Sequence, residues 1–128
     1  MAVKYKVIQR GQPGIAGGGE RKYYASAQVN GELTLQGLTR HIEQICTVSG
    51  ADIRAVVYAI VEVIKGTLAE GQIVRLGELG SFRVSIGSEG KETVKEVNAA
   101  SITGSRIIFT PGRDLKEMLD NMSYEKAR

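Results

Sequence analysis

The sequence predicts an α+β fold in which helices precede antiparallel strands, and three observations carry that prediction. Ile53, Val56, Val57, Ile60, Val61, Ile64 and Leu68 recur at the spacing of one helix face. The stretch "SFRVSI" puts Phe82, Val84 and Ile86 on one side of an extended chain and Arg83 and Ser85 on the other. Glycines at 77 and 80 mark a turn where the helical period gives way to the strand period.

Each element follows in order. Val3, Tyr5 and Val7 alternate with Lys4 and Lys6, and Tyr23, Ala25, Ala27 and Val29 alternate with their polar neighbours, which predicts an amino-terminal strand pair over residues 1–31. The intervening "GQPGIAGGG" is read as a flexible connector, because no Gly-Lys-Ser or Gly-Lys-Thr follows it to make a phosphate loop. Leu35, Leu38, Ile42 and Ile45 predict a short amphipathic helix with Thr34 as its N-cap. The long helix begins at Ser49, with Asp52 placed for a capping box, and ends near Gly71. "QIVRL", "SFRVSI" and "RIIF" read as three strands. Leu115, Met118, Leu119 and Met122 form the stripe of a closing helix, and 123–128 is read as a tail.

The long helix carries Tyr58, Ala59 and Val63 beyond its first apolar stripe, more than one short helix and a few strands of the same chain can cover. A second copy of the chain is therefore the expected partner, with cover by the amino-terminal hairpin as the alternative.

Composition excludes several classes. In 128 residues Cys46 is the single cysteine and His41 the single histidine, so an intrachain disulfide, paired zinc ligands and most nucleophile-plus-base sets are absent. Cys46 is read as a small core thiol and His41 as a polar-face helix residue. No enzyme, no metal, no cofactor and no small-molecule substrate is expected. No apolar run approaches the roughly 20 residues that span a bilayer, and "MAVKYKVIQR" lacks the apolar core of a signal peptide. No membrane association and a cytoplasmic location follow.

The net charge of +3 is concentrated at one end. Residues 1–31 hold five basic side chains (Lys4, Lys6, Arg10, Arg21, Lys22) against Glu20, whereas basic and acidic residues are level in 85–106 and again in 107–128. An anionic partner near the amino terminus is the expectation.

The element order, with "RLGELGSFRV" and "FTPGRDLK", resembles the bacterial HU and integration-host-factor family of histone-like DNA-binding proteins over about Leu33 to Asp120. Gly80-Ser81-Phe82 and Phe109-Thr110-Pro111-Gly112-Arg113 match the family's turn and pre-helix motifs, and the added amino terminus is similar to the longer HU-related group of Bacteroides-like bacteria. The resemblance implies an HU/IHF-like intertwined dimer, here a homodimer, with a helical base, a three-stranded antiparallel saddle and β-ribbon arms, over residues 32–122. It also implies double-stranded DNA as partner and a place in the nucleoid. Arms of this family enter the minor groove, wedge an apolar residue between base steps and bend the duplex.

The segment Ser85 to Arg106 departs from the pattern. It contains no proline for the wedge, and Lys91, Lys95 and Arg106 are offset by Glu89, Glu92 and Glu96. A neutral arm releases few counterions, so nonspecific phosphate contact with weaker bending is expected. Candidate DNA contacts are Arg75 and Arg83 on the saddle, backbone amides around Gly80-Ser81 and at Pro111-Gly112 beside Arg113, the arm residues Lys91, Lys95 and Arg106, and the basic Lys4, Lys6, Arg21 and Lys22. The competing expectation is a protein-interaction or structural module that kept the fold and lost DNA binding.

Overall fold

The computed structural model describes residues 2–12 and 14–127. Pro13, inside the glycine-rich connector, is outside the described residues, as are Met1 and Arg128. The order is β1 (Val3–Arg10), β2 (Lys22–Ala27), α1 (Leu35–Ile45), α2 (Gly50–Ala69), β3 (Val74–Arg75), β4 (Gly80–Ser88), β5 (Ile102–Pro111), α3 (Arg113–Asp120) and β6 (Tyr124–Lys126). These make an α+β fold with two three-stranded sheets among the described residues, ordered β2-β1-β6 and β3-β4-β5.

The first sheet is more than the expected strand pair. β1 and β2 run antiparallel from Tyr5↔Ala27 to Arg10↔Lys22. On its other edge β1 takes up β6 in parallel, Val3 opposite Tyr124 and Tyr5 opposite Lys126. The end of the chain thus clasps its beginning. A short, mostly polar tail carries no period that would announce such a strand. Across the glycine-rich connector the Gln12 amide donates to the Gly18 carbonyl at 2.6 Å. A Cβ on Gly11 would stand 2.8 Å from the Gly18 Cα.

The helices start where their caps predict. Thr34 Oγ1 accepts from the Gly37 amide at 3.3 Å, and Ser49 Oγ accepts from the Asp52 amide at 3.3 Å. Only this half of the expected capping box forms at Ser49. Gly71, at φ +82, turns the chain out of α2 while its amide bonds the Leu68 carbonyl at 2.9 Å. The two helices meet at Thr39, the most buried side chain at 1% exposure, whose hydroxyl donates to the Leu35 carbonyl at 2.7 Å. Gly50 makes the close approach there, since a Cβ would lie 3.2 Å from the Thr39 methyl and 2.9 Å from a Glu43 carboxylate oxygen.

Little else is enclosed. Among the described residues Ile53 and Leu68 are the buried apolar side chains, while Val56, Val61 and Val63 of α2 stay at least half exposed. The amino-terminal hairpin pairs with β6 and leaves this helix face open. Cys46 is exposed, contrary to the core position expected of it, because it caps the end of α1 where the chain leaves the helix.

In the second sheet β3 is only two residues long, shorter than "QIVRL" suggests, while β4 and β5 pair from Gly80↔Pro111 to Ser88↔Ile102 with a bulge after Gly87. Phe82 and Phe109 face each other with ring centroids 5.0 Å apart. Gly80 sits at φ +142, and a Cβ there would collide with the Thr110 carbonyl oxygen and the Phe109 ring. Gly112 is similarly confined, since a Cβ would strike the Glu78 carbonyl. This pair of glycines seats the turn before β4 against the end of β5.

Gly80→Ala is expected to lower stability by about 3 kcal/mol or more, combining backbone strain of about 1–3 kcal/mol with the collision. Urea unfolding at fixed protein concentration checks it, and a loss below about 1 kcal/mol would contradict the crowding described.

Candidate nucleic-acid interface

Cross-strand register separates the second sheet into two unlike faces. Arg75 lies opposite Ser81, Ser81 opposite Thr110, Arg83 opposite Ile108 and Ser85 opposite Arg106. Directly paired residues point to the same side, so Arg75, Arg83 and Arg106 share one face with Ser81, Ser85, Thr110 and the half-buried Ile108. The opposite face carries Val74, Phe82, Val84, Ile86, Ile107 and Phe109. Arg75 and Arg83, read from the sequence as saddle residues, lie on one face, and Arg106, read as an arm residue, lies there with them. None of the three arginines forms an ion pair among the described residues.

At the root of this face Arg75, Gly80, Ser81, Thr110, Gly112 and Lys116 line an open recess of about 300 Å³. Lys116 is a residue that sequence reasoning missed. It arrives one turn into α3, and i+3 spacing from Arg113 was the signal available. The Gly112 amide, expected to be free for an anion, donates instead to the Leu79 carbonyl at 3.0 Å, and Pro111 has no amide to offer. The first α3 amide bonded within the helix is that of Lys116, to the Gly112 carbonyl at 2.9 Å. Those of Arg113, Asp114 and Leu115 therefore begin the helix unbonded by it, although Asp114 puts a negative charge in that first turn. Arg113 itself reaches Glu117 at 3.5 Å, a solvent-exposed pair.

The arm is a short ribbon with a folded tip. Its ladder ends at Ser88↔Ile102, and residues 89–101 then close through two single turns, Val94–Glu96 and Ala99–Ser101. Ser101, 3% exposed, organises them. Its hydroxyl accepts from the Asn98 amide at 3.2 Å, the Asn98 side chain accepts from the Ala100 amide at 2.9 Å, and the Ser101 carbonyl accepts from the Glu89 amide at 2.8 Å. This is a capping box of the kind expected at Ser49, formed here on a three-residue turn. Lys91 turns back to Glu89 at 3.2 Å, so one of the two arm lysines is already matched. Lys95 is exposed on the first turn beside Glu96, and Val94 stands 90% exposed at the tip.

Of the amino-terminal candidates, Lys4, Lys6 and Lys22 fall in β1 and β2, whereas Arg21 precedes β2 and is outside the sheet. Register puts Lys4, Lys6, Arg10 and Lys22 on one face, because Lys6 pairs with Ser26 and Arg10 with Lys22. Arg10 is a further residue of this set, its guanidinium carbon 4.7 Å from the centre of the Tyr24 ring. No group of three or more His, Cys, Asp or Glu side chains is disposed to hold a metal ion among the described residues. No helix there is long and apolar enough to cross a membrane.

Comparison with known proteins matches residues 1–126 to the HU-HIG family, described as an HU domain fused to wHTH, Ig or glycine-rich motif. No curated protein matches. Among solved structures the fold is similar to that of a candidate bacterial DNA-binding protein from Bacteroides vulgatus ATCC 8482, with a TM-score of 0.65 at 13% identity. That likeness covers 98% of the present chain and 49% of the other, so the chain spans about half the length of its structural neighbour.

Ser101→Ala removes the hydroxyl that joins the tip's turns, at a cost of about 1 kcal/mol. Amide exchange at Asn98, whose acceptor is lost, is expected to speed up by roughly fivefold with the α2 amides unaffected, and exchange unchanged there would contradict that role.

Proposed function

This chain belongs to the HU-HIG family, and from that premise we propose that it is a nonspecific, dimeric, histone-like protein that holds duplex DNA by its phosphates and bends it less than ordinary HU does. The observation that carries this reading is the shared face of Arg75, Arg83 and Arg106, continued at its root by Lys116. Three guanidinium groups without acidic partners among the described residues, flanked by Ser81, Ser85 and Thr110 hydroxyls, suit phosphate oxygens, which both charge and hydroxyl groups recognise without regard to base. On this reading the face is the saddle and the protein works in the nucleoid. Its amino-terminal extension aligns it with the longer HU-related group of Bacteroides-like bacteria.

Weaker bending is supported by the arm. Its tip offers Val94 in place of a proline and surrounds it with Glu92 and Glu96 as well as Lys95. The tip's net charge leaves little to draw it between phosphates, and valine is a small wedge.

Dimerisation is supported by α2. Val56, Ala59, Ile60, Val63 and Ile64 of that helix, with Val74 and Leu76, line an open, mostly apolar recess of about 380 Å³ that has Arg75 at its edge. An apolar surface of this extent in so small a protein calls for cover, and a second α2 supplies a matching one. The second reading, a protein-interaction module, draws on the exposed Val94 and Val97 of the neutral arm. Partners that survive nuclease treatment in a pull-down would favour it.

Titration of a duplex without a particular sequence, at several salt concentrations, tests DNA binding. The wild type is expected to bind at low salt, and R75A/R83A/R106A to flatten the log–log salt dependence by about 0.9 for each phosphate no longer neutralised. No binding at low salt, or a slope untouched by the triple variant, would overturn the reading. Val63→Glu is expected to weaken self-association by more than about a hundredfold, since an unpaired buried charge costs about 3–5 kcal/mol. Sedimentation of wild type and variant as the same species would refute the role given to α2.

A further inference from the structure

We infer that the basic face of the β2-β1-β6 sheet is a second, separate duplex-binding surface, so that one molecule holds two segments of DNA at once. The inference rests on the DNA-binding reading above and extends it to a sheet that shares no strand with the saddle.

The pleat sorts this sheet as cleanly as the other. Lys4, Lys6, Ile8 and Arg10 occupy one side of β1, with Lys22, Tyr24 and Ser26 beside them on β2. Val3, Tyr5, Ala25, Ala27 and Tyr124 line a trough on the opposite side. Water favours covering the apolar side, whatever part of the assembly covers it, and that leaves the cationic side facing out. All four basic residues are exposed, and none has an ion-pair partner among the described residues. The acidic residue in register on this side is Glu125, opposite Lys4.

The row is long enough to meet more than one phosphate. Same-side residues of a strand are about 6.8 Å apart, so Lys4 to Arg10 covers roughly 20 Å. Phosphates of one DNA strand advance about 3.4 Å per step along the axis. Over that length a DNA strand winds through more than half a turn, so the row meets phosphates where it crosses the duplex rather than one after another along a strand. Packing of Arg10 on Tyr24 restrains the side chain and leaves its charge available. The closure of the connector at Gly11 and Gly18, and the β6 clasp, hold these strands together, so the charges are presented on a formed sheet rather than a loose basic tail.

The test uses the whole protein loaded onto a bead-bound duplex at low salt, followed by a fluorescent second duplex. Wild type is expected to retain the second duplex. K4Q/K6Q/R10Q/K22Q is expected to keep the first and lose most of the second, with a salt slope shallower by about 3.6 for four phosphates. Charge-preserving K4R/K6R/R10K/K22R should behave as wild type, and a loss there would make the strand rather than its charge responsible, overturning the inference. Undiminished retention by the glutamine variant overturns it too. A wild type that binds one duplex and never a second defeats this inference alone, whereas a wild type that binds none defeats the saddle reading with it.

Discussion

One chain can bury very little of itself, and this constraint governs how the structure is held. With Ile53 and Leu68 as the buried apolar side chains among the described residues, no ordinary core positions the elements. Backbone contacts do much of that positioning instead. Gly50 lets α2 start against Thr39, and Gly80 and Gly112 let the turn before β4 lie on the end of β5, each where a single methyl would intrude. At Gly80 and Gly112 backbone lies against backbone, which gives rigid placement at low buried area and tolerates only glycine, whereas at Gly50 the close neighbours are the Thr39 and Glu43 side chains. The apolar stripe of α2 and the Phe82–Phe109 side of the second sheet remain as surface that solvent disfavours.

Both sheets answer this constraint in the same way. Each gathers apolar side chains on one side and arginine or lysine on the other, so covering the apolar sides sends the basic ones outward. The cationic character of the molecule is therefore a matter of strand parity more than of net charge, which is only +3. Charges of 1–31 that are merely neighbours in sequence become a row at regular intervals once β1 is extended. Arg75 and Arg106, far apart in the chain, become members of one face through the β3-β4-β5 ladder.

Much of the fold was legible because it is encoded locally. The helix starts at Thr34 and Ser49, the exit at Gly71, and the alternation in "SFRVSI" depend on residues within one turn or one strand of each other. The candidate face was half legible: Arg75 and Arg83 could be assigned a side from their own strands. Lys116 could not be added to them, since its proximity to Gly80 follows from where α3 leaves the sheet. The bonded state of the Gly112 amide was hidden for the same reason, because its acceptor, the Leu79 carbonyl, belongs to a turn on the far side of the arm in sequence. Residue type alone favours a core position for Cys46, and its place one step past the end of α1 decided otherwise.

By itself the sequence determined the α+β character, the order of helices and central strands, the bias of charge to the first thirty-one residues and the loss of proline and net charge from the arm, all properties of neighbours and of simple periods. Tertiary structure alone decided that the last residues become a strand beside the first, that Ser101 folds the arm's tip into a compact cap, and which basic residues share a face. Those outcomes depend on hydrogen bonds and register between segments far apart in the chain, and no local pattern records a partner at the other end of it.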